Sequence, residues 1–407
     1  MNILRFMKMT NRNPYKTCSL AAAMIFILLN SSVFGQSIYG SFGIGELRYF
    51  SSVRAVGMGG AGLAVRDPIA QNQLNPAAWV TVDNVSYGCG MRFEGIRFNQ
   101  SSRSNTSNHA ALNTISLAVK PASNLTISGG FRPHTDSDFE IYSKTPDYTR
   151  VIEGSGGISI GYFGGAYSVN DKVALGINYL YYFGADFESW LINFKDDDFV
   201  DTASNLLRHK KGQGISIGVT VMALPRLHLG GVFFSEAELK TEKRIKTAAQ
   251  SQQDIKGPDI KVPYSFGIGF SSEVAPRITF AGDVFRWQYK NLAYKGASGQ
   301  NYNNSTRYSA GIEVSPSEMD EAGLFRKLSY RFGGYFWNLY SPDIDGSSVT
   351  EKFLTAGMSI LFNEKKTRID VGFEGGIRAS KSKAVGSEKI ARIYIALVGV
   401  EKWFVRR

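Results

Sequence analysis

Residues 57–68 read GMGGAGLAVRDP, and Gly57, Gly59 and Gly62 stand in the spacing G-x-G-x-x-G, with Asp83 about twenty residues further on. In a dinucleotide enzyme that spacing lets a tight turn approach a pyrophosphate at a helix N-terminus, and the later acid takes the ribose. This chemistry needs a buried strand before the glycines and a helix after them. Here ELRYFSSVRAV precedes them without an apolar strand run, and Pro68, Asn72, Asn75 and Pro76 interrupt any long helix behind them. The four histidines, His109, His134, His209 and His228, lack metal-ligand spacing, and neither H-E-x-x-H nor G-x-S-x-G occurs. The acidic run at 196–199 with Asp201 offers carboxylate oxygens but lacks the glycine and spacing of a calcium loop. These residues point to no enzyme, no cofactor and no metal.

The elements that would position any site start after residue 35. Arg5, Lys8, Arg12 and Lys16 come without an acid, an apolar run follows from Leu20 to Leu29, and Val33-Phe34-Gly35 precedes Gln36. That order is a secretory signal, so residues 1–35 are expected to be removed. The formal charge of +11 then falls by those four cations to +7. No basic run interleaves with aromatic residues, which argues against nucleic acid as a partner. Cys18 leaves with the signal, and Cys89 alone cannot form an internal disulfide. No later run reaches the roughly eighteen apolar residues of a spanning helix.

From residue 84 to the end the period is two. Ile369, Val371, Phe373 and Ile377 form an apolar face against Arg368, Asp370, Glu374 and Arg378, and Ile215, Ile217, Val219 and Val221 do the same against Ser216, Gly218 and Thr220. Short turns (PASN at 121–124, VNDK at 169–172, ALPR at 223–226, VAPR at 274–277, NEKK at 363–366) alternate with longer polar loops near 99–108, 134–156, 186–210, 240–258, 291–304, 340–350 and 380–388. This is the habit of an outer-membrane barrel, tight on the periplasmic rim and long outside. The count is about fourteen antiparallel strands, an even number as a closed bacterial barrel requires. The fold class is therefore an all-β transmembrane barrel at 84–407 in the bacterial outer membrane, in contact with its lipid. Residues 36–83, small and unalternating, are expected to pack within it as a hatch or plug. The terminal EKWFVRR resembles the aromatic C-terminal signal of such barrels.

Here the chain resembles the FadL family of outer-membrane transporters for long-chain fatty acids and aromatic hydrocarbons. The resemblance rests on MGGAGLAVRDPIAQNQLNPAAW at 58–79, which holds N-P-A at Asn75-Pro76-Ala77, and on the strand count. It implies a hatch motif of Gly57, Gly59, Gly60, Gly62, Asn75, Pro76 and Ala77, a hydrophobic small molecule in the lumen, and sideways release at a kinked third strand. In LTISGGFRPH, Gly129, Gly130 and Pro133 would permit that kink. Arg92, Arg132, Arg331 and Arg378 fall in the inward register, as contacts for a ligand carboxylate or as partners of Glu94, Glu313, Asp370 and Glu374. The opening SIYGSFGIGEL at 37–47 is similar to FadL-like barrels of bacteria with type IX secretion, which include PorV-like barrels. Ala78 departs from the glycine common in the family, and the external loops are short for a fatty-acid transporter. The resemblance implies passage of hydrophobic compounds by diffusion. Its alternative is a non-transporting subunit of a secretion or assembly complex, with outer-membrane or periplasmic proteins as partners.

Overall fold

The computed structural model describes residues 37–49, 52–100, 103–196, 198–247, 252–291, 302–316, 324–362, 366–383 and 385–401. The expected signal, most of the NEKK turn and residues 402–407 of the terminal motif lie outside them. Fourteen antiparallel strands close into a barrel. They are β1 (Val85–Gln100), β2 (Arg103–Ala122), β3 (Leu125–Pro133, continued by Phe139–Lys144), β4 (Tyr148–Ser168), β5 (Val173–Phe194), β6 (Thr202–Leu224) and β7 (Leu227–Phe234 with Ala237–Thr247). The second half is β8 (Ser265–Ala275, preceded by Gln253–Lys256 and Ile260–Val262), β9 (Ile278–Trp287), β10 (Ser305–Val314), β11 (Leu328–Pro342), β12 (Ser348–Phe362), β13 (Thr367–Ser380) and β14 (Ser387–Glu401). The closing ladder joins β14 to β1, from Val85 opposite Glu401 to Asn99 opposite Ser387.

Burial is inverted relative to a water-soluble sheet. Ile217, Phe266, Ile268, Tyr308, Phe332 and Leu354 are exposed, whereas Arg307, Arg331, Asp370, Arg378 and Glu388 are buried. An exposed apolar band around a charged interior suits a hydrocarbon surround, where an outward Lys or Arg at mid-bilayer costs about 2–4 kcal/mol. The aromatics divide by register: Tyr179, Tyr181 and Phe183 face outward, while Tyr335, Trp337 and Tyr340 are buried inside. Cys89 is exposed in the outward register of β1.

Two features depart from the sequence reading. Stretches expected as long external loops, at 99–108, 186–210 and 240–258, are largely strand: β2 starts at Arg103, β5 runs to Phe194, β6 starts at Thr202 and β7 reaches Thr247. Above the lipid both faces meet water, so the ladder continues without an apolar face and leaves no periodic signal. The second departure is in β3, which does not simply kink. The ladder to β2 ends at Phe131 and the regular pairing with β4 at Pro133, after which the chain bends inward while His134 and Ser137 still donate their amides to the Ile158 and Gly156 carbonyls of β4. Thr135–Asp136 pairs with Glu46–Leu47, and the strand rejoins β4 at Phe139. Gly156 (φ +112°) and Gly157 (φ +144°) of β4 face this excursion, and a Cβ on Gly157 would stand 2.3 Å from the Thr135 carbonyl oxygen. The β2–β3 ladder stops at Ile115 opposite Phe131. Residues 103–114 of β2 thus keep their ladder to β1 but have none to β3 among the described residues.

Candidate functional site

The described residues of 37–82 form three short turns and a two-residue strand, Glu46–Leu47. A 3-10 turn at Ile38–Ser41 is capped by Ser37, a helical turn at Val53–Val56 by Ser52, and a 3-10 turn at Pro76–Thr81 by Asn75, whose Oδ1 accepts the Ala77 amide. Each cap satisfies an amide that the turn leaves open. Ile44, Met58, Leu63, Leu74 and Trp79 are almost fully buried. Their neighbours lie on strands all round the wall. Gly311 and Gly333 let the backbone at Met58 approach, since a Cβ on either would come within 2.4 Å of it, and Gly176 and Gly218 do the same for Asn75 to Ala77. The segment therefore sits within the ring of strands.

The G-x-G-x-x-G stretch is held by the wall. Gly59 has φ +70°, and a Cβ there would be 2.3 Å from the Gly334 carbonyl; Gly60 has φ +83° and lies against the Arg307 guanidinium. The Gly59 amide donates to Thr355 Oγ1 at 2.8 Å. The amides of Gly62 and Leu63 do bind an anion, the Asp283 carboxylate, at 2.6 and 3.0 Å. Gly57 stands against Arg331 and Gly357. Asn75 donates its side-chain amide to the carbonyls of Leu63 and Val219, each at 3.0 Å, tying the segment to β6.

Apart from a separate Lys210–Asp186 pair between β6 and β5, the buried ion pairs among the described residues gather in two clusters. Near the short-turn rim, Arg54 pairs with Glu313 (2.7 Å) and Asp67 (3.1 Å), Arg331 with Glu313 (2.5 Å), and Arg368 with Asp67 (2.7 Å) and Asp370 (2.8 Å). Three guanidiniums meet three carboxylates. Burial alone would raise the Asp67 carboxyl, but Arg368, Arg54 and the Ile69 amide together hold it well below the ordinary carboxylate range.

Toward the opposite rim, Arg378 grips Glu46 (2.5 Å), Glu351 (2.5 Å) and Glu388 (2.8 Å), and Arg48 grips Glu46 (2.8 Å), Glu94 (3.0 Å) and Asp136 (2.9 Å). Arg92 reaches Asp136 at 2.8 Å, and Arg392 reaches Glu94, Glu46 and Glu374. Arg307 has its guanidinium 3.9 Å from the Tyr49 ring centre and 3.8 Å from that of Tyr335, close enough for cation–π attraction. His109 joins this cluster through Asp136 and Asp138.

The sequence-derived arginines are thus all inward. Arg92, Arg331 and Arg378 are engaged by the chain's own carboxylates. Arg132 donates to the Gln73 carbonyl at 2.5 Å and lies 5.6 Å from the ring centres of Tyr162 and Phe234. Gly129 and Gly130 sit in the ladder below the break, and the regular pairing with β4 ends at Pro133. Sequence reasoning missed Arg48, Arg54, Asp67, Asp283, Arg307 and Arg368. Alternation placed several of them inward, but the pairings connect residues up to 346 positions apart, which no local pattern records. The cavity between Arg48, Arg92, Arg307, Trp337, Arg392 and Tyr394 has a volume of about 30 Å³. That is room for one or two waters, while a benzene-sized guest needs about 150 Å³.

Solved barrels share this architecture. The CymD monoaromatic hydrocarbon channel aligns with a TM-score of 0.61 at 17% identity, covering 87% of this chain and 98% of the channel. A FadL homologue from Pseudomonas aeruginosa gives 0.62 at 12%, over 87% and 99%, and the toluene transporter TbuX of Ralstonia pickettii gives 0.58 at 15%, over 89% and 99%. None of the curated protein sequences compared with the chain matches it significantly. At such identities the likeness is one of fold, that of FadL-type outer-membrane barrels. The BamG family model matches residues 16–407, from before the N-terminal turns through the last barrel strand, and on that match the chain belongs to the BamG family.

Proposed function

We propose that this chain is a non-transporting barrel subunit of an outer-membrane secretion or assembly complex, with residues 36–83 acting as a fixed plug. The observation that carries the reading is the way the lumen is filled. Residues 37–82 are tied to the wall by buried ion pairs, and removing one partner of such a pair costs about 3–5 kcal/mol. A gate that had to break several of them together would open too rarely to carry flux. Arg92, Arg331 and Arg378 are engaged by the chain's own carboxylates, so a fatty-acid headgroup at Arg378 would have to displace Glu46, Glu351 or Glu388.

A second reading, passage of a hydrophobic compound through the wall, is supported by the interrupted ladder between β2 and β3 and by the fold shared with the CymD and TbuX channels. Radiolabelled toluene and oleate uptake into proteoliposomes separates the two. The fixed-plug reading predicts uptake equal to that of protein-free liposomes. Saturable uptake that depends on the protein would replace it with the second.

A further inference from the structure

β2 carries His109 above the point where its ladder with β3 ends, and the excursion 134–138 brings Asp136 and Asp138 opposite it. His109 Nδ1 is 3.4 Å from Asp138 Oδ2, and Nε2 is 3.9 Å from Asp136 Oδ2. One donor atom from each residue lies within 4.8 Å of the others. Nitrogen and oxygen donors stand about 2.0–2.2 Å from Zn²⁺, which puts neighbouring ligands of a tetrahedral site about 3.4 Å apart. The His109 Nδ1–Asp138 spacing already matches, whereas Asp136 faces the other ring nitrogen and must turn toward Nδ1 to share the ion.

The charge balance points the same way. The short-turn cluster has three guanidiniums for three carboxylates. The opposite cluster joins Glu46, Glu94, Asp136, Asp138, Glu351, Glu374 and Glu388 to Arg48, Arg92, Arg378 and Arg392. Seven acids face four guanidiniums, or five if Arg307 beside Tyr335 is included. Surplus carboxylates in such a cluster are met either by a proton or by a further cation, and the partly buried Asp136 and Asp138 are open to the second. Asp136 is held by Arg48 and Arg92 through Oδ2, which leaves Oδ1 available. Asp138 accepts the Gly156 amide at 2.9 Å and faces His109, and no guanidinium pairs with it among the described residues.

We infer that His109, Asp136 and Asp138 bind one divalent transition-metal ion, Zn²⁺ being the match for one imidazole and two carboxylates, and that the ion staples the gap between β2 and the β3 excursion. Because the excursion also pairs with Glu46–Leu47, the ion couples the wall to the N-terminal segment. This site is independent of whether the barrel transports.

The test is isothermal titration of the detergent-purified, chelator-treated full chain with Zn²⁺, followed by metal analysis. One equivalent is expected for the wild type and for His209→Ala, an exposed control on β6. Affinity is expected to fall at least tenfold in His109→Ala and in the isosteric Asp138→Asn, with barrel folding checked by heat-modifiable gel migration. Absence of saturable Zn²⁺ binding by the folded wild type would overturn the site. Full-strength binding by folded Asp138→Asn would do the same, as would Ca²⁺ uptake as tight as Zn²⁺ and indifferent to His109→Ala.

Discussion

Asp67 shows how a single residue fastens the N-terminal segment. Its carboxylate is shared by Arg368 and Arg54 and also accepts the amides of Ile69 and Ala70, so one side chain closes a turn and anchors it to β13. Asp67→Asn is expected to lower unfolding stability by about 3 kcal/mol, measured by denaturant unfolding in detergent, because two guanidiniums lose a buried partner. The pH dependence follows from the depressed carboxyl. Its contribution is complete above the unfolded value of about 4 and is lost as pH falls below it toward the folded one, so the gap between wild type and Asp67→Asn should narrow on acidification. A gap independent of pH would contradict the assignment. The glycines of residues 57–62 tell a related story at this scale. Their spacing was legible in the sequence, but their task is close approach to the wall, and the anion at the Gly62 and Leu63 amides is Asp283, more than two hundred residues away. No reading of the local motif could have supplied that partner.

At the scale of elements, the strands were legible because lipid outside and polar lumen inside impose a strict two-residue period, as in β13 where Val371 and Phe373 alternate with Asp370 and Glu374. The hairpin extensions were not, since water on both faces removes that constraint. The third strand was legible only as a weak point: Gly129, Gly130 and Pro133 mark it, but the departure of Thr135–Asp136 toward Glu46–Leu47 depends on a long-range pairing. The interrupted ladder has a measurable consequence. Over residues 103–114 the amides of β2 that point toward β1 are in a ladder, whereas those pointing the other way have no β3 strand to meet. Hydrogen exchange should therefore alternate between slow and fast along this stretch and become uniformly slow from Ile115 to Val119, where both neighbours are present. Uniform protection from residue 103 to 119 would show that the gap is closed in solution.

For the whole molecule, the proposed reading turns on the lumen, toward which residues 37–82 and their ion pairs pack. In this chain the fourteen-strand wall surrounds the N-terminal turns and two clusters of ion pairs, one of which lines a cavity of about 30 Å³. What stays accessible is the outside: the apolar band and the β4–β5–β6 extensions, where Phe187, Trp190, Leu191, Phe199 and Val200 are exposed. On the proposed reading, these exposed projections are what hold the partner proteins. Native mass spectrometry of the barrel extracted from its own outer membrane in mild detergent tests this most directly. The account predicts a stoichiometric complex with one or more protein partners and no lipophilic mass retained by the barrel. A solitary barrel carrying a bound fatty acid or hydrocarbon would contradict it.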